Sequence, residues 1–230
     1  MALRFKLQAS PTVLGLCALL ALPAAAYLHP LSEEAVREAY FLGRSTSTEK
    51  LPLFLEQYTR RFPAPAKGPH VAAIEFRTPY VLAVLRSRSN SDYNAQRAEI
   101  DYRKQPDLLV VRVLIYWTRS FPRSAAAASK DNGKSQGCSE DGLPGFRICV
   151  AQDRSLDRGV YPDSIGAVTR EVEPRKVSRK GIFMCRGCPG ATEVILEFDA
   201  AQFSSGTVHV EVAPPEGPSV KADFDLSRLQ

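Results

Sequence analysis

Four cysteines carry the most specific chemistry in this chain. They are Cys138, Cys149, Cys185 and Cys188, and they remain when an N-terminal targeting segment is set aside. An even number of cysteines in an exported chain is typical of structural disulfides. We predict the pairs Cys138–Cys149 and Cys185–Cys188, because the first pair brackets a turn-like segment at residues 141–145. A bond from either cysteine of the first pair to the second pair remains an alternative.

Two other uses of these thiols are open. Cys185 and Cys188 have the C-x-x-C spacing of a zinc knuckle, in which all four thiolates would bind one zinc ion. The other two cysteines do not form a second such motif, and export disfavours free thiolates. A thiol–disulfide active site would normally open a helix, whereas Pro189, Gly190 and a predicted strand follow here. We therefore predict structural disulfides, with no metal and no cofactor.

Basic residues are concentrated in one stretch of the chain, at positions 170–186. Only Glu171 and Glu173 interrupt its positive charges. Such a cluster could bind anionic lipid headgroups, acidic glycans or nucleic acid. Aromatic residues are nearly absent, which argues against single-stranded nucleic acid, and a solvated strand face would explain the same residues. The candidate anion-binding patch consists of Arg170, Arg175, Lys176, Arg179, Lys180 and Arg186.

Groups suited to catalysis are few. The histidines are His29, His70 and His209. His209 shares a predicted sheet face with Glu211 and, if the last two strands pair, with Asp223 and Asp225, so a metal site there is an alternative to a surface hairpin of mixed charge. The chain contains no H-E-x-x-H motif and no phosphate loop of the form G-x-x-x-x-G-K-[ST]. Hydrolysis by two carboxylates needs no histidine, but no particular pair is indicated. No catalytic residue is therefore predicted.

The N-terminus predicts the compartment. Arg4 and Lys6 precede a short apolar run at residues 13–22, and the small residues at 24–26 form an A-x-A site before Tyr27. This order is typical of a secretory signal peptide at residues 1–26. We predict a periplasmic or extracellular protein, because the run is shorter than the about 20 residues of a membrane span. No second apolar run of spanning length follows, so we predict no transmembrane segment in the mature chain.

Removal of the signal peptide lowers the formal charge from +5 to +3, which gives little reason to expect a polyanion partner. We read Cys17 as part of the apolar run of the signal and not as a lipid-attachment site, because Leu16 stands where a small residue is expected.

Residues 27–66 are predicted to form a helical hairpin that packs on a sheet. Ser32 is a suitable N-cap and Gly43 a natural stop for the first helix. The second helix has apolar residues from Leu51 to Phe62 at helical spacing, and prolines end it. Its apolar side could dock a partner, but such stripes usually cover a core.

Residues 67–230 are predicted to form a β-sandwich with a disordered loop near 119–142. The run at 108–118 is apolar on both faces except for Arg112, which predicts a central strand. We also predict a buried strand at 80–86 and a helix at 91–104, as a crossover or as an excursion from the sheet.

The C-terminal strands are the clearest. If Val212 pairs with Val220 across the turn at 214–218, opposite charges face each other on the solvent side. The fold class is therefore mainly β (α+β): an antiparallel-rich β-sandwich with an N-terminal helical hairpin and one helix inserted between strands.

These observations favour an exported protein without catalytic activity. We predict a binding or structural module of the cell envelope, whose partner is an envelope protein or an anionic glycan or lipid surface, and we expect no nucleic acid. The alternative is a carboxylate-dependent hydrolase acting on an envelope polymer. A cleft lined by two close carboxylates would favour this alternative.

Overall fold

The computed structural model describes Tyr27 and residues 29–90, 92–119, 121, 138–139, 143, 145–154, 168–182 and 190–230. The α-helices in these ranges are α1 (Glu33–Gly43), α2 (Lys50–Glu56), α3 (Pro79–Ser89) and α4 (Ala95–Lys104). The strands are β1 (Thr59–Arg61), β2 (His70–Arg77), β3 (Leu108–Tyr116), β4 (Cys138–Ser139), β5 (Arg147–Arg154), β6 (Val168–Glu171), β7 (Lys176–Ile182), β8 (Ala191–Asp199), β9 (Thr207–Ala213) and β10 (Val220–Asp225). A short 3₁₀ turn spans Ala200–Gln202. The predicted signal peptide at 1–26 and most of the predicted loop at 119–142 lie outside the described residues.

The predicted central strand is confirmed. The first sheet, sheet A, has the strand order β1-β2-β3-β8-β7, and every pair is antiparallel. β3 lies in the middle, and Leu109, Val111, Val113 and Ile115 are buried on one of its faces. Burial on that face and neighbours on both edges explain the β-branched, apolar sequence of this strand.

The second sheet, sheet B, contains the C-terminal hairpin that the sequence predicts. Its order is β10-β9-β5, and β4 and β6 both pair with the other edge of β5. The predicted register is confirmed, because Val212 pairs with Val220 and Glu211 with Lys221. Alternation of apolar and polar residues sets this register, since a slip of one residue would turn the apolar face outward.

One hydrophobic core joins the two sheets. Phe76 of β2, Phe198 of β8 and Phe224 of β10 are fully buried in the same cluster, together with Val210 of β9 and Val150 of β5. The rings of Phe76 and Phe224 stack at 5.1 Å across the core. Face-to-face packing of two sheets would produce these contacts.

The segment at 80–86 is helical, so the predicted strand there is wrong. Thr78 caps α3, its hydroxyl accepting a hydrogen bond from the Val81 amide at 3.3 Å, and Pro79 occupies the first turn. This segment has apolar residues on more than one helix face, because two of its sides are buried. Val81 packs into the core between the sheets, while Tyr80 and Val84 pack against α1. A helix buried on two sides and a buried strand have the same apolar pattern.

The N-terminal helices also differ from the prediction. The second helix ends at Glu56, and Thr59–Arg61 pairs with β2 as an edge strand, so the prediction of helix up to Phe62 is wrong. α1 packs mainly on α3 and α4. A side chain at Gly43 would lie 2.3 Å from the carbonyl oxygen of Val84, so this close approach requires glycine.

The predicted fold class, mainly β of the α+β type, is confirmed. The described ranges form two antiparallel sheets and four α-helices. Two helices, α3 and α4, separate β2 from β3, where the sequence predicted one. Across the described ranges, none of the helices has the length and apolar character needed to cross a membrane.

Candidate functional site

A groove of about 390 Å³ lies between α2, α3 and the outer face of β1 and β2. The part of it formed by α2 and α3 is mostly apolar, and the part formed by the strands carries charged side chains. Its apolar lining residues are Leu51, Pro52, Leu55, Val81 and Leu85. Its charged lining residues are Glu56, Arg61, Glu75, Arg77 and Arg88.

The local sequence explains why α2 stands away from the sheet. The helix has only seven residues, and none of them is buried. It ends where the Thr59 hydroxyl donates a hydrogen bond to the Leu55 carbonyl at 3.0 Å and the chain turns into β1. Tyr58, which is fully buried, anchors this turn in the core. The turn is therefore fixed, while the helix leaves a gap over β1 and β2.

α3 forms the second wall of the groove, with three residues that lie on one face of the helix. Val81, Leu85 and Arg88 are four and three residues apart and therefore share one helix face. The capped and proline-containing start of α3 fixes this face relative to β2. The arginine near the end of the helix also interacts favourably with the helix dipole.

A chain of ion pairs crosses the outer face of sheet A and ends in the groove. The Nε of Arg77 donates to Oε2 of Glu75 at 3.0 Å, and Arg112 contacts Oε1 of Glu75. The other terminal nitrogen of Arg112 contacts Glu193. Charges alternate along this chain, so each carboxylate lies beside a guanidinium. The groups lie on β2, β3 and β8, which are neighbours in sheet A.

The middle of this chain is substantially buried. The side chain of Arg112 is 20% exposed and that of Glu193 is 11% exposed. Burial lowers the pKa of Arg112, and this effect outweighs the opposite influence of the Glu75 carboxylate. Both carboxylate oxygens of Glu75 contact guanidinium groups.

A second charged cluster lies on the outer face of sheet B. The Nε2 of His209 is 2.9 Å from Asp153, and its Nδ1 is 2.7 Å from Asp223. The Thr169 hydroxyl donates to Asp153 at 3.0 Å. Partial burial lowers the pKa of His209, but hydrogen bonds to the two carboxylates and their charges raise it more, so that the pKa is raised overall. The hydrogen bond with His209 lowers the pKa of Asp153.

This cluster should make stability dependent on pH. The raised pKa of His209 contributes stability that is complete below its ordinary pKa of 6.5 and is lost as pH rises through the folded-state value. The lowered pKa of Asp153 contributes stability that is complete above 3.8 and is lost as pH falls. Urea unfolding from pH 4 to 9 should therefore show a decline above about pH 6.5, by less than about 1 kcal/mol because the groups are partly exposed. His209→Gln should abolish this decline, and an unchanged decline would contradict the assignment.

The cluster differs from the metal site considered for these strands. His209 contacts Asp223, as the predicted pairing requires, but its other partner is Asp153 of β5. Glu211 instead forms an ion pair with Lys221 at 3.3 Å. Both ring nitrogens of His209 are hydrogen-bonded to carboxylates. Over the described ranges, no group of three or more suitable ligands could hold a metal ion.

The other histidines have structural contacts. His29 contacts Asp107, which also accepts a hydrogen bond from the Tyr102 hydroxyl at 2.8 Å. These contacts link the segment before α1 to the connection between α4 and β3. Burial raises the pKa of Tyr102, which keeps its hydroxyl protonated. His70 contacts the carbonyl oxygen of Phe62 at 2.8 Å.

The predicted anion-binding patch is divided between the edges of the two sheets. Arg170 lies on β6 of sheet B, and Arg175 precedes β7 of sheet A. Lys176, Arg179 and Lys180 lie on β7, which ends the strand order of sheet A, and Lys176 is 3.4 Å from Glu197. Arg186 lies outside the described residues. Positive charges on an edge strand also discourage pairing with another chain.

The cysteines are partly described. Cys138 and Cys149 are direct partners in the antiparallel register of β4 and β5. Directly opposite residues have Cα atoms about 4.5–5.5 Å apart, which is compatible with the about 4.4–6.8 Å of disulfides. The bond itself stays a prediction. Cys185 and Cys188 lie outside the described residues.

Sequence reasoning did not identify the groove. In the sequence, Arg112 stands out only as an interruption of the apolar run at 108–118, and nothing singles out Glu75 or Arg77. A single charge inside an apolar central strand indicates a partner on a neighbouring strand. That pattern could have pointed to this face, although not to its partners.

Comparison with known proteins identifies no significant match. No protein-family model matches the chain, and neither a curated protein nor a solved structure shows significant similarity to it.

Proposed function

We propose that this protein is exported and acts as a non-catalytic binding module of the cell envelope, with the groove under α2 as its binding site. The observation that carries the proposal is a cavity of about 390 Å³ whose walls combine apolar side chains with three arginines. Small-molecule sites have this character, mostly apolar with a few placed polar groups.

Export is supported by the N-terminal sequence and by the cysteines. Residues 1–26 have the order of a signal peptide. Cys138 and Cys149 are opposite each other in the strand register, as a cross-strand disulfide requires. Disulfides form and persist in oxidising compartments. The two features support the same location independently.

Contacts within the groove favour binding over hydrolysis. A two-carboxylate hydrolase needs one carboxyl to hold a proton and another to act as base or nucleophile. Glu75 is bracketed by Arg77 and Arg112, and the second groove carboxylate, Glu56, is exposed. A carboxylate-dependent hydrolase is therefore the alternative, and the experiment must distinguish hydrolysis from binding.

The test is sedimentation with isolated cell envelopes. Protein exported through its own signal should begin at Tyr27, contain no free thiols and sediment with the envelopes. The double variant Arg61→Gln/Arg88→Gln should sediment clearly less, because both arginines line the groove. Lys221→Gln/Arg228→Gln removes the same charge from exposed positions elsewhere and should behave like the wild type.

Other outcomes would overturn the proposal. Retention of Met1, or four reactive thiols with bound zinc, would contradict export with disulfides. Equal retention of the groove variant and the wild type would show that the groove is not the binding site. Release of soluble polymer fragments by the wild type, abolished by Glu75→Gln, would support the hydrolase instead.

A further inference from the structure

We infer that the ligand of the groove is an anionic amphiphile, with one carboxylate or phosphate head on an apolar chain. This inference rests on the proposed function and specifies the ligand class of the same site. It follows from the charges, the apolar lining and the size of the groove.

The charges of the groove favour an anionic head. Arg77, Glu75, Arg112 and Glu193 form the alternating chain of ion pairs and together carry no net charge. Because Arg112 neutralises Glu75 from outside the groove, Glu75 does not oppose an incoming anion. The remaining charged lining residues are Arg61, Arg88 and Glu56, which leave an excess of positive charge.

Two of these arginines retain hydrogen-bonding capacity. Within the part of the chain that the structure describes, no ion pair engages the exposed guanidinium of Arg61. Among the described residues, Arg88 donates one long hydrogen bond of 3.3 Å, to the Ser45 carbonyl. A guanidinium presents five donors in a planar fork that matches the paired oxygens of a carboxylate or a phosphate. Both head groups therefore satisfy the site.

The remainder of the lining favours an apolar chain. Leu51, Leu55 and Leu85 are only half-buried, although each lines the groove. Since no residue of α2 is fully buried, its apolar side has contact surface to gain from a ligand. Burial of apolar surface is favourable roughly in proportion to its area, so an acyl chain in this position would add affinity that a bare anion lacks.

The size of the groove limits the ligand. About 390 Å³ lies near the lower end of the roughly 300–1,000 Å³ that small-molecule sites occupy. A single chain of moderate length fits this volume, whereas a glycan polymer would extend beyond it.

Calorimetry with four defined probes tests the ligand class. We expect saturable binding of octanoate, of octyl phosphate, or of both, and the relative affinities of these two identify the preferred head. Octyl glucoside has the same tail without the charge, and inorganic phosphate has a charged head without the tail. Each should bind at least about tenfold more weakly, because a charge-assisted hydrogen bond or a buried alkyl chain is missing.

Variants locate the binding. Arg61→Gln/Arg88→Gln should weaken binding of the preferred probe by about tenfold or more, whereas Lys221→Gln/Arg228→Gln should leave it unchanged. Circular dichroism verifies that both variants are folded. All four substitutions are at exposed or half-exposed positions, so the fold should tolerate them.

Three results would overturn the inference. The first is equal binding of octyl glucoside and the charged probes, and the second is loss of binding in Arg179→Gln/Lys180→Gln with the groove variant unaffected. The third is that neither octanoate nor octyl phosphate binds, while sedimentation with envelopes still depends on Arg61 and Arg88. That third result would reject the ligand class and leave the proposed function standing, whereas envelope sedimentation that ignores the groove variant would reject both.

Discussion

Replacing Trp117 with alanine is expected to lower the free energy of unfolding by about 3–5 kcal/mol. The indole is 4% exposed and lies just beyond β3. It meets the ring of Phe146 edge-on at 6.1 Å, and its Nε1 donates to the Thr192 hydroxyl at 2.9 Å. The substitution would remove contacts between sheet A and the start of β5 and would leave a buried hydroxyl without this donor.

Urea unfolding followed by circular dichroism measures this effect. Trp117→Phe is the matched control and should cost less, because it removes the indole donor and part of the ring volume but keeps an aromatic ring in the core. Trp117 is the sole tryptophan of the chain, so native fluorescence reports on it alone. Emission at the wavelength of solvent-exposed indole, or a loss below about 1 kcal/mol, would contradict its place in the core.

Replacing Arg112 with methionine is expected to lower the free energy of unfolding by about 3 kcal/mol. Removing one partner of a buried ion pair costs roughly 3–5 kcal/mol, and we expect the low end because the side chain is 20% exposed. The change would leave Glu75 and Glu193 near each other without their shared cation. Urea unfolding at constant ionic strength is the measurement.

The control is the double variant Arg112→Met/Glu193→Gln, which keeps the ion pair between Glu75 and Arg77. A neutral amide at position 193 no longer needs the guanidinium, so this protein should recover much of the lost stability. A double variant no more stable than Arg112→Met would show that packing of the arginine stem, and not charge, dominates. In Arg112→Met, Glu75 would keep only Arg77 as its cationic partner, so less positive charge would surround the groove and binding of octanoate or octyl phosphate should weaken.

Local sequence patterns were sufficient for the strands and for the C-terminal register. Val208, Val210 and Val212 alternate with polar residues, and this alternation specifies both the strand and its inner face. The central strand was recognised because its residues must be buried whatever lies beside them. The cap of α1 at Ser32 is predictable for a similar reason, since it involves only the four consecutive residues 32–35 and one hydroxyl.

The sequence by itself determined a mainly β protein with a central apolar strand and a C-terminal hairpin, because these depend on periodicity within a few residues. The tertiary structure decided that residues 79–89 are helical, since a run buried against both α1 and the core has no diagnostic period. It also decided the groove. The partners of Arg112 are 37 and 81 residues away along the chain, and only the pairing of β2, β3 and β8 brings their charges into contact.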